Sequence, residues 1–295
     1  MISIILPCYN EENAVIDCIN QIKLEAQKTQ KEFEIIVVDD GSTDNSLSKI
    51  KECDVNVLSH PHNLGYGSAL KSGIAAAKYD TILISDIDGS YPSKHIPELI
   101  KIYFDSKQNS IGLDMLVGAR QGKVYDGSPL KFIFRKFLKF LVEWTTGRKI
   151  IDTNSGMRIF SKKTIGSFLP RLCNTFSFTT SLTLAYMLNG KFVKYEPIEY
   201  HVRKGKSHVK ILRDSLRTLQ YIVEAIIYYN PLKLFLLIFL IFILLSIFFL
   251  ILFFLNDKFI FLALFSLSTV ISFISIFFGF LMDLVKQKIN QSRDK

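Results

Sequence analysis

Ser85-Asp86-Ile87-Asp88-Gly89 follows the apolar run Thr81–Ile84 and sets two acids one residue apart. At a strand end, that spacing places both carboxylates near one point as the chain leaves the sheet. Hard oxygen ligands of this kind suit Mg²⁺ or Mn²⁺, which take one or two carboxylates and complete their shell with phosphate oxygens and water. A metal held in this way neutralises charge growing on a departing diphosphate. A bare D-x-D also occurs in many ordinary turns, so its neighbours decide its weight.

The neighbours are informative. Val37-Val38-Asp39-Asp40-Gly41-Ser42-Thr43-Asp44 ends another apolar run in acids and a turn. An acid placed there can accept from a base N–H or a ribose hydroxyl, as acids do in doubly wound nucleotide sites. For Asp40 and Asp44 the alternative is turn and helix-cap chemistry, and for Asp44 it is the preferred one. Pro7-Cys8-Tyr9-Asn10-Glu11 closes the first run, with Tyr9 suited to stack on a base and Glu11 to bond to it. Asn63-Leu64-Gly65-Tyr66-Gly67 opens a helix whose glycines allow backbone approach and whose N-terminus favours an anion. It lacks the full G-x-G-x-x-G spacing, so no dinucleotide cofactor site is read here.

Elements must hold these residues together. Ile2–Leu6, Phe33–Val38, Val55–Leu58, Thr81–Ser85 and Met115–Gly118 read as short buried strands. Residues 11–28, 46–51, 67–78 and 93–106 read as helices between them. This alternation predicts an α/β layer fold with a mostly parallel sheet. Ligands of such sheets bind beyond the carboxyl ends of the strands, where all of the segments above lie.

The later chain is different in kind. Residues 120–217 hold 20 Lys or Arg against 6 Asp or Glu, a charge of +14 where the whole chain carries +9. Within them, residues 130–145 form an amphipathic helix with Lys131, Arg135 and Lys139 on one stripe and a wide aromatic face. That pattern suits a membrane interface, as does a second helix over 208–229. Leu234–Leu255 and Phe259–Met282 are apolar runs of 22 and 24 residues, each longer than the roughly 20 needed to cross a bilayer. Only Asn256-Asp257-Lys258 separates them, which predicts a transmembrane hairpin over 231–285 and a basic tail over 286–295. Basic residues flank the outer ends of both spans. The charge bias therefore places both termini and the 1–230 domain in the cytoplasm, on a multi-pass inner-membrane protein.

The cysteines, Cys8, Cys18, Cys53 and Cys173, form no C-x-x-C pair, which argues against a zinc site or disulfide framework. The opening residues lack a charged n-region and a cleavage site, so no secretory signal is read. Basic charge alone would also suit nucleic acid, but apolar spans and acid-tipped strands argue against that partner. Oligomeric state, a homo-oligomer included, is left open.

PCYNEENAV, VVDDGSTDNS, NLGYGSALKSG and SDIDGSYP resemble the ordered motifs of glycosyltransferase family 2, with its GT-A fold. DTNSGMRIF at 152–160 and the two spans narrow the likeness to polyprenyl-phosphate glycosyltransferases, the group of dolichol-phosphate mannose synthase and bacterial undecaprenyl-phosphate sugar transferases. The resemblance runs from residue 2 to about 230.

It implies inverting, metal-dependent transfer of a hexose from UDP- or GDP-sugar to polyprenyl phosphate, for cell-envelope glycan or lipopolysaccharide assembly. Pro7, Tyr9, Glu11, Val37 and Asp39 would cradle the nucleoside, and Asp86, Ile87 and Asp88 the diphosphate. Asp86 and Asp88 would bind Mg²⁺ or Mn²⁺, and Arg120 would reach the phosphates. Arg135 and Arg203 would meet the lipid phosphate, while Asp152 would stand beside the reaction centre. Two departures are visible: Ser90 stands where relatives carry a metal-binding glutamine, and Arg203-Lys204-Gly205-Lys206-Ser207-His208 alters the family's basic motif.

A phosphate monoester acceptor changes the chemistry required. Its second pKa is near ~6, so it attacks largely as the dianion without a base. Asp152 is then expected to orient Arg or the acceptor, in contrast to stripping a hydroxyl proton. The competing readings are a transferase acting on a glycolipid hydroxyl and a degenerate, non-catalytic membrane scaffold. A processive polysaccharide synthase fits less well, since Trp144, the only tryptophan, lies outside a Q-x-x-R-W motif.

Overall fold

Apolar runs that end in acids become the strands of one mixed sheet. The computed structural model describes residues 1–109, 112–121, 129–202 and 211–293. Its elements run β1 (Ile2–Cys8), α1 (Val15–Lys28), β2 (Phe33–Asp39), α2 (Ser46–Lys51), β3 (Asn56–Ser59), α3 (Tyr66–Ala76), β4 (Thr81–Ile84), α4 (Ile96–Gln108) and β5 (Leu113–Gln121). They continue with α5 (Pro129–Thr146), β6 (Arg158–Ser161), α6 (Lys162–Gly166), α7 (Phe178–Leu188), β7 (Phe192–Glu199), α8 (Ile211–Tyr229), α9 (Pro231–Asn256) and α10 (Phe259–Arg293). Two units divide the chain, Met1–Tyr221 and Ile222–Lys295.

In the first unit the strand order is β3-β2-β1-β4-β6-β5-β7. The strands β1 to β4 pair in parallel, as do β5 and β7. The sheet departs from an all-parallel one at β6, which lies antiparallel between β4 and β5. Every residue of β1 and β4 is buried. Burial on both faces is what a sheet covered by helices requires. One such helix, α1, buries Val15, Cys18, Ile19, Ile22 and Ala26, the i, i+3, i+4, i+7 face of an amphipathic helix.

The pairings set the site. Cys8 lies beside Asp39, and Ile5 beside Ile84, so the carboxyl ends of β1, β2 and β4 share one edge. Arg158 opens β6 opposite both Ile84 and Val117. Its antiparallel course brings residues 152–157, which precede it, to that same edge. The parallel β5–β7 pairing sets Arg120 against Ile198, so Tyr200 and His201 follow there too.

In the second unit, α9 and α10 are both long and apolar enough to cross a membrane. Asp257, in the left-handed region at φ 49°, ends α9 and turns the chain into α10. The helices touch through small and polar groups. Ser246 Oγ and Thr269 Oγ1 are 2.6 Å apart, and Ser272 Oγ donates to the Phe239 carbonyl at 3.4 Å. Among the described residues, Leu240, Leu244, Phe248, Phe273 and Phe277 are exposed on the hairpin.

Candidate active site

Asp39 ends β2 and is 1% exposed. Its Oδ2 takes two weak bonds, from Ser42 N at 3.3 Å and Ser59 Oγ at 3.4 Å. Its Oδ1 is buried with no partner among the described residues. A buried acceptor left open is costly unless something donates to it, and a base or sugar N–H or O–H would do so. Pro7, in the neighbouring β1, and Val37, two residues earlier in β2, are buried. Tyr9 is half-buried just past β1. Glu11 precedes α1 instead of opening it: the helix begins at Val15, and the Glu11 carbonyl accepts from Ala14 N and Val15 N.

Asp40 and Asp44 serve the local fold. Asp40 accepts from Leu64 N at 2.9 Å and Gly65 N at 2.8 Å, and its Oδ1 lies 2.7 Å from His60 Nδ1. It therefore fixes the chain entering α3. Asp44 accepts from Ser46 N, two residues on, in a local turn, and from Glu12 N, which ties the loop after β2 to the loop after β1.

The anion-binding expectation for the start of α3 is corrected by the structure. The backbone that approaches these glycines belongs to the protein itself. Ser68 N donates to the Asn174 carbonyl at 3.0 Å, and a Cβ at Gly67 would lie 2.1 Å from the Cys173 carbonyl oxygen. Residues 173–174 thus occupy the helix end that would have met an anion. Lys71 Nζ secures the same segment, donating to the Leu172 carbonyl and to Asn174 Oδ1.

Asp86 and Asp88 leave β4 with their orientations set. Tyr66 Oη donates to Asp86 Oδ1 at 2.8 Å. Burial first, and then the Asp86 carboxylate, push the Tyr66 phenol well above its ordinary pKa, so it stays a donor. Ser90, fully buried, donates to Asp88 Oδ1 from its backbone N at 2.9 Å and its Oγ at 2.5 Å. Ser90 therefore orients Asp88. Ile87, between the acids, is 2% exposed and packs into the core.

No group of three or more His, Cys, Asp or Glu able to hold a metal occurs among the described residues. The pair at the β4 end still fits Mg²⁺ or Mn²⁺. Such an ion takes a few carboxylate oxygens and draws the rest of its shell from diphosphate and water.

Arg120 and Asp152 meet across β5 and the loop before β6. Arg120 Nε donates to Asp152 Oδ2 at 2.7 Å and Nη2 to Oδ1 at 2.8 Å. The backbone N–H groups of Arg120 and Asn154 add bonds at 3.2 and 3.0 Å. Burial opposes ionisation of Asp152, but the Arg120 bonds and charge outweigh it and hold the carboxyl below its ordinary range. The guanidinium also lies over the Tyr200 ring, 5.3 Å from its centroid. Arg158, 0% exposed, braces the 152–156 loop by donating to the Thr153 and Ser155 carbonyls and to Thr183 Oγ1.

A chain of contacts joins the two halves of the site. Tyr200 meets Tyr91 edge-on at 5.2 Å, and Tyr91 Oη accepts from Gly156 N at 2.7 Å. Gly156 in turn lies directly against the Asp86 carboxylate. Tyr66, Tyr91, Gly156, Arg158 and Tyr200 were not assigned roles from sequence. The Gly65-Tyr66-Gly67 and Ser155-Gly156-Met157-Arg158 runs were the available signals. Of the remaining expected residues, Arg135 lies on α5 with no side chain described, and Arg203 falls outside the described residues.

An edge of acids with one paired arginine, on a mixed sheet of this order, defines a GT-A-like α/β protein. Solved structures of glucosyl-3-phosphoglycerate synthase from Mycobacterium tuberculosis share the fold. The complex with phosphoglyceric acid superposes with a TM-score of 0.62 at 18% identity over 76% of this chain and 79% of that one. A complex with Mn²⁺, UDP and glucosyl-3-phosphoglycerate gives 0.60 at 17%, over the same shares.

The model of glycosyl transferase family 2 matches residues 3–165, and the chain belongs to that family. It is 26% identical over 228 residues to the low-salt glycan biosynthesis hexosyltransferase Agl6 of Haloferax volcanii, covering 75% of this chain and 53% of the relative. It is 28% identical over 191 residues to the undecaprenyl-phosphate 4-deoxy-4-formamido-L-arabinose transferase of Proteus mirabilis, covering 60% and 56%. The chain thus spans about half the length of the curated relatives it matches.

Proposed function

We propose that the protein transfers a hexose from a UDP- or GDP-sugar to polyprenyl phosphate, with inversion, at the cytoplasmic face of a membrane that α9 and α10 cross. The observation that carries this reading is the Arg120–Asp152 pair. An acid spent on a bidentate ion pair and held below its ordinary pKa is a poor proton acceptor near neutral pH. A phosphate dianion needs no such acceptor, whereas a glycolipid hydroxyl does.

The residues divide the work. Asp39 receives the nucleoside through its open Oδ1, with Pro7, Tyr9, Glu11 and Val37 around it. Asp86 and Asp88 would hold Mg²⁺ or Mn²⁺, which would supply neutralising charge for the departing nucleoside diphosphate. Arg120, oriented by Asp152, brings positive charge to the strand-end edge where two anionic groups must approach. The basic segment over 120–217, with Arg135 and Arg203, meets the lipid phosphate.

The relative from Proteus mirabilis is described as acting on undecaprenyl phosphate, and a solved neighbour holds Mn²⁺ and UDP. Both support the assignment of partners. The apolar runs set the hairpin over 231–285 apart from the domain over 1–230 and the tail over 286–295, and the charge bias described above puts domain and tail on the cytoplasmic side.

The test incubates purified protein in detergent with Mg²⁺ or Mn²⁺, a panel of UDP- and GDP-sugars, and polyprenyl phosphate. Nucleoside diphosphate release that requires the lipid supports the reading. Release indifferent to lipid, or none with any donor, overturns it.

A further inference from the structure

Asp86 is held from two sides by groups outside its own motif. On one side Tyr66 Oη donates to Oδ1 at 2.8 Å. On the other, a methyl at Gly156 would lie 2.7 Å from both carboxylate oxygens, so only glycine lets the carboxylate stand there. The Tyr66 ring is itself pinned, stacked on Phe176 at 5.8 Å and 14°. Phe176 follows the segment that Ser68 N and Lys71 Nζ bind to α3.

We propose that Tyr66 is the positioning residue for Asp86, its hydroxyl and the bare face of Gly156 together fixing the carboxylate for a divalent cation. This rests on the reading of Asp86 as a metal ligand. Carboxylates that bind metal work best when a neighbour holds their orientation, and losing such a neighbour commonly weakens metal binding 10- to 100-fold. A hydroxyl fixed by a stacked ring, 20 residues away in sequence, supplies that hold without becoming a ligand.

The experiment titrates Mn²⁺ into the full-length protein in detergent, with UDP in one arm and GDP in the other, and reads free Mn²⁺ by electron paramagnetic resonance. Wild type, Tyr66→Phe and Asp86→Asn are compared, with thermal melting and metal-free nucleotide binding measured on each. The expected result is loss of Mn²⁺ binding in D86N and binding weakened about ten-fold or more in Y66F. Melting and metal-free nucleotide affinity should stay unchanged in Y66F. If D86N loses Mn²⁺ while Y66F binds it as wild type does, the role of Tyr66 is overturned and the metal reading stands. Wild-type Mn²⁺ binding by D86N overturns the metal reading and this inference with it. Early melting or lost metal-free nucleotide binding in Y66F makes Tyr66 a packing residue and overturns the positioning role.

Discussion

Asp152 holds Arg120 with both carboxylate oxygens, at 2.7 and 2.8 Å, and is itself 2% exposed. Bidentate pairing of this kind fixes the plane of the guanidinium as well as its charge. Asp152→Asn keeps the shape but leaves the cation without its counter-charge. Transfer is expected to fall by about ten- to a hundred-fold, by the same factor at every pH from 6 to 9. Steady-state rates across that range check it. A loss above about 10³ that steepens with pH would return Asp152 to the role of base.

The same pair predicts how stability depends on acid. The Asp152 carboxyl is lowered from 3.8 on folding, so the unfolded chain binds its proton more readily. Its contribution is therefore full above about 4 and is lost as pH falls through the lowered folded value. Removing one partner of a buried pair costs about 3–5 kcal/mol. Melting midpoints of wild type and D152N should differ at pH 7 and converge as pH falls below about 4.

Asp39→Ala is expected to weaken UDP or GDP binding by roughly ten- to a hundred-fold, the worth of a hydrogen bond to a charged group. The two bonds it makes within the protein are long, at 3.3 and 3.4 Å, so melting should change little. Calorimetric titration with each nucleotide measures the first effect and a thermal scan the second.

Gly67→Ala and Gly166→Ala form a matched test of the segment laid across α3. A Cβ at 67 meets the Cys173 carbonyl oxygen at 2.1 Å, while one at 166 meets nothing within 4 Å. Overpacking of this kind costs about 1–3 kcal/mol or more. The Gly166 variant should stay within about 0.5 kcal/mol of wild type. Comparable melting of the two would contradict the close approach of residues 173–174.

Much of this was legible along the chain because strand ends announce themselves. Leu6–Asn10, Val37–Asp39 and Ile84–Asp86 each pass from buried apolar residues to polar ones at the edge where ligands bind. Two strands escaped that reading for physical reasons. β6 is four residues long and opens on Arg158, a fully buried charge that interrupts the apolar pattern. β7 reads Phe-Val-Lys-Tyr-Glu-Pro-Ile-Glu, too charged to look buried. It lies at the sheet edge, where Pro197 costs no interior ladder bond.

The groups around Asp86 were illegible for a different reason. Tyr66 and Gly156 reach it from 20 and 70 positions away, and only the antiparallel course of β6 brings the second one there. The start of α3 misled because glycines that admit a phosphate admit a backbone equally well.

The most direct test compares polyprenyl phosphate with the corresponding free polyprenol as acceptor. Radiolabelled donor sugar and a divalent cation are supplied to the full-length protein, and label is counted in the extracted lipid. Transfer to the phosphate alone is expected, and it is abolished in Asp88→Ala. Equal or preferred transfer to the polyprenol hydroxyl would contradict it.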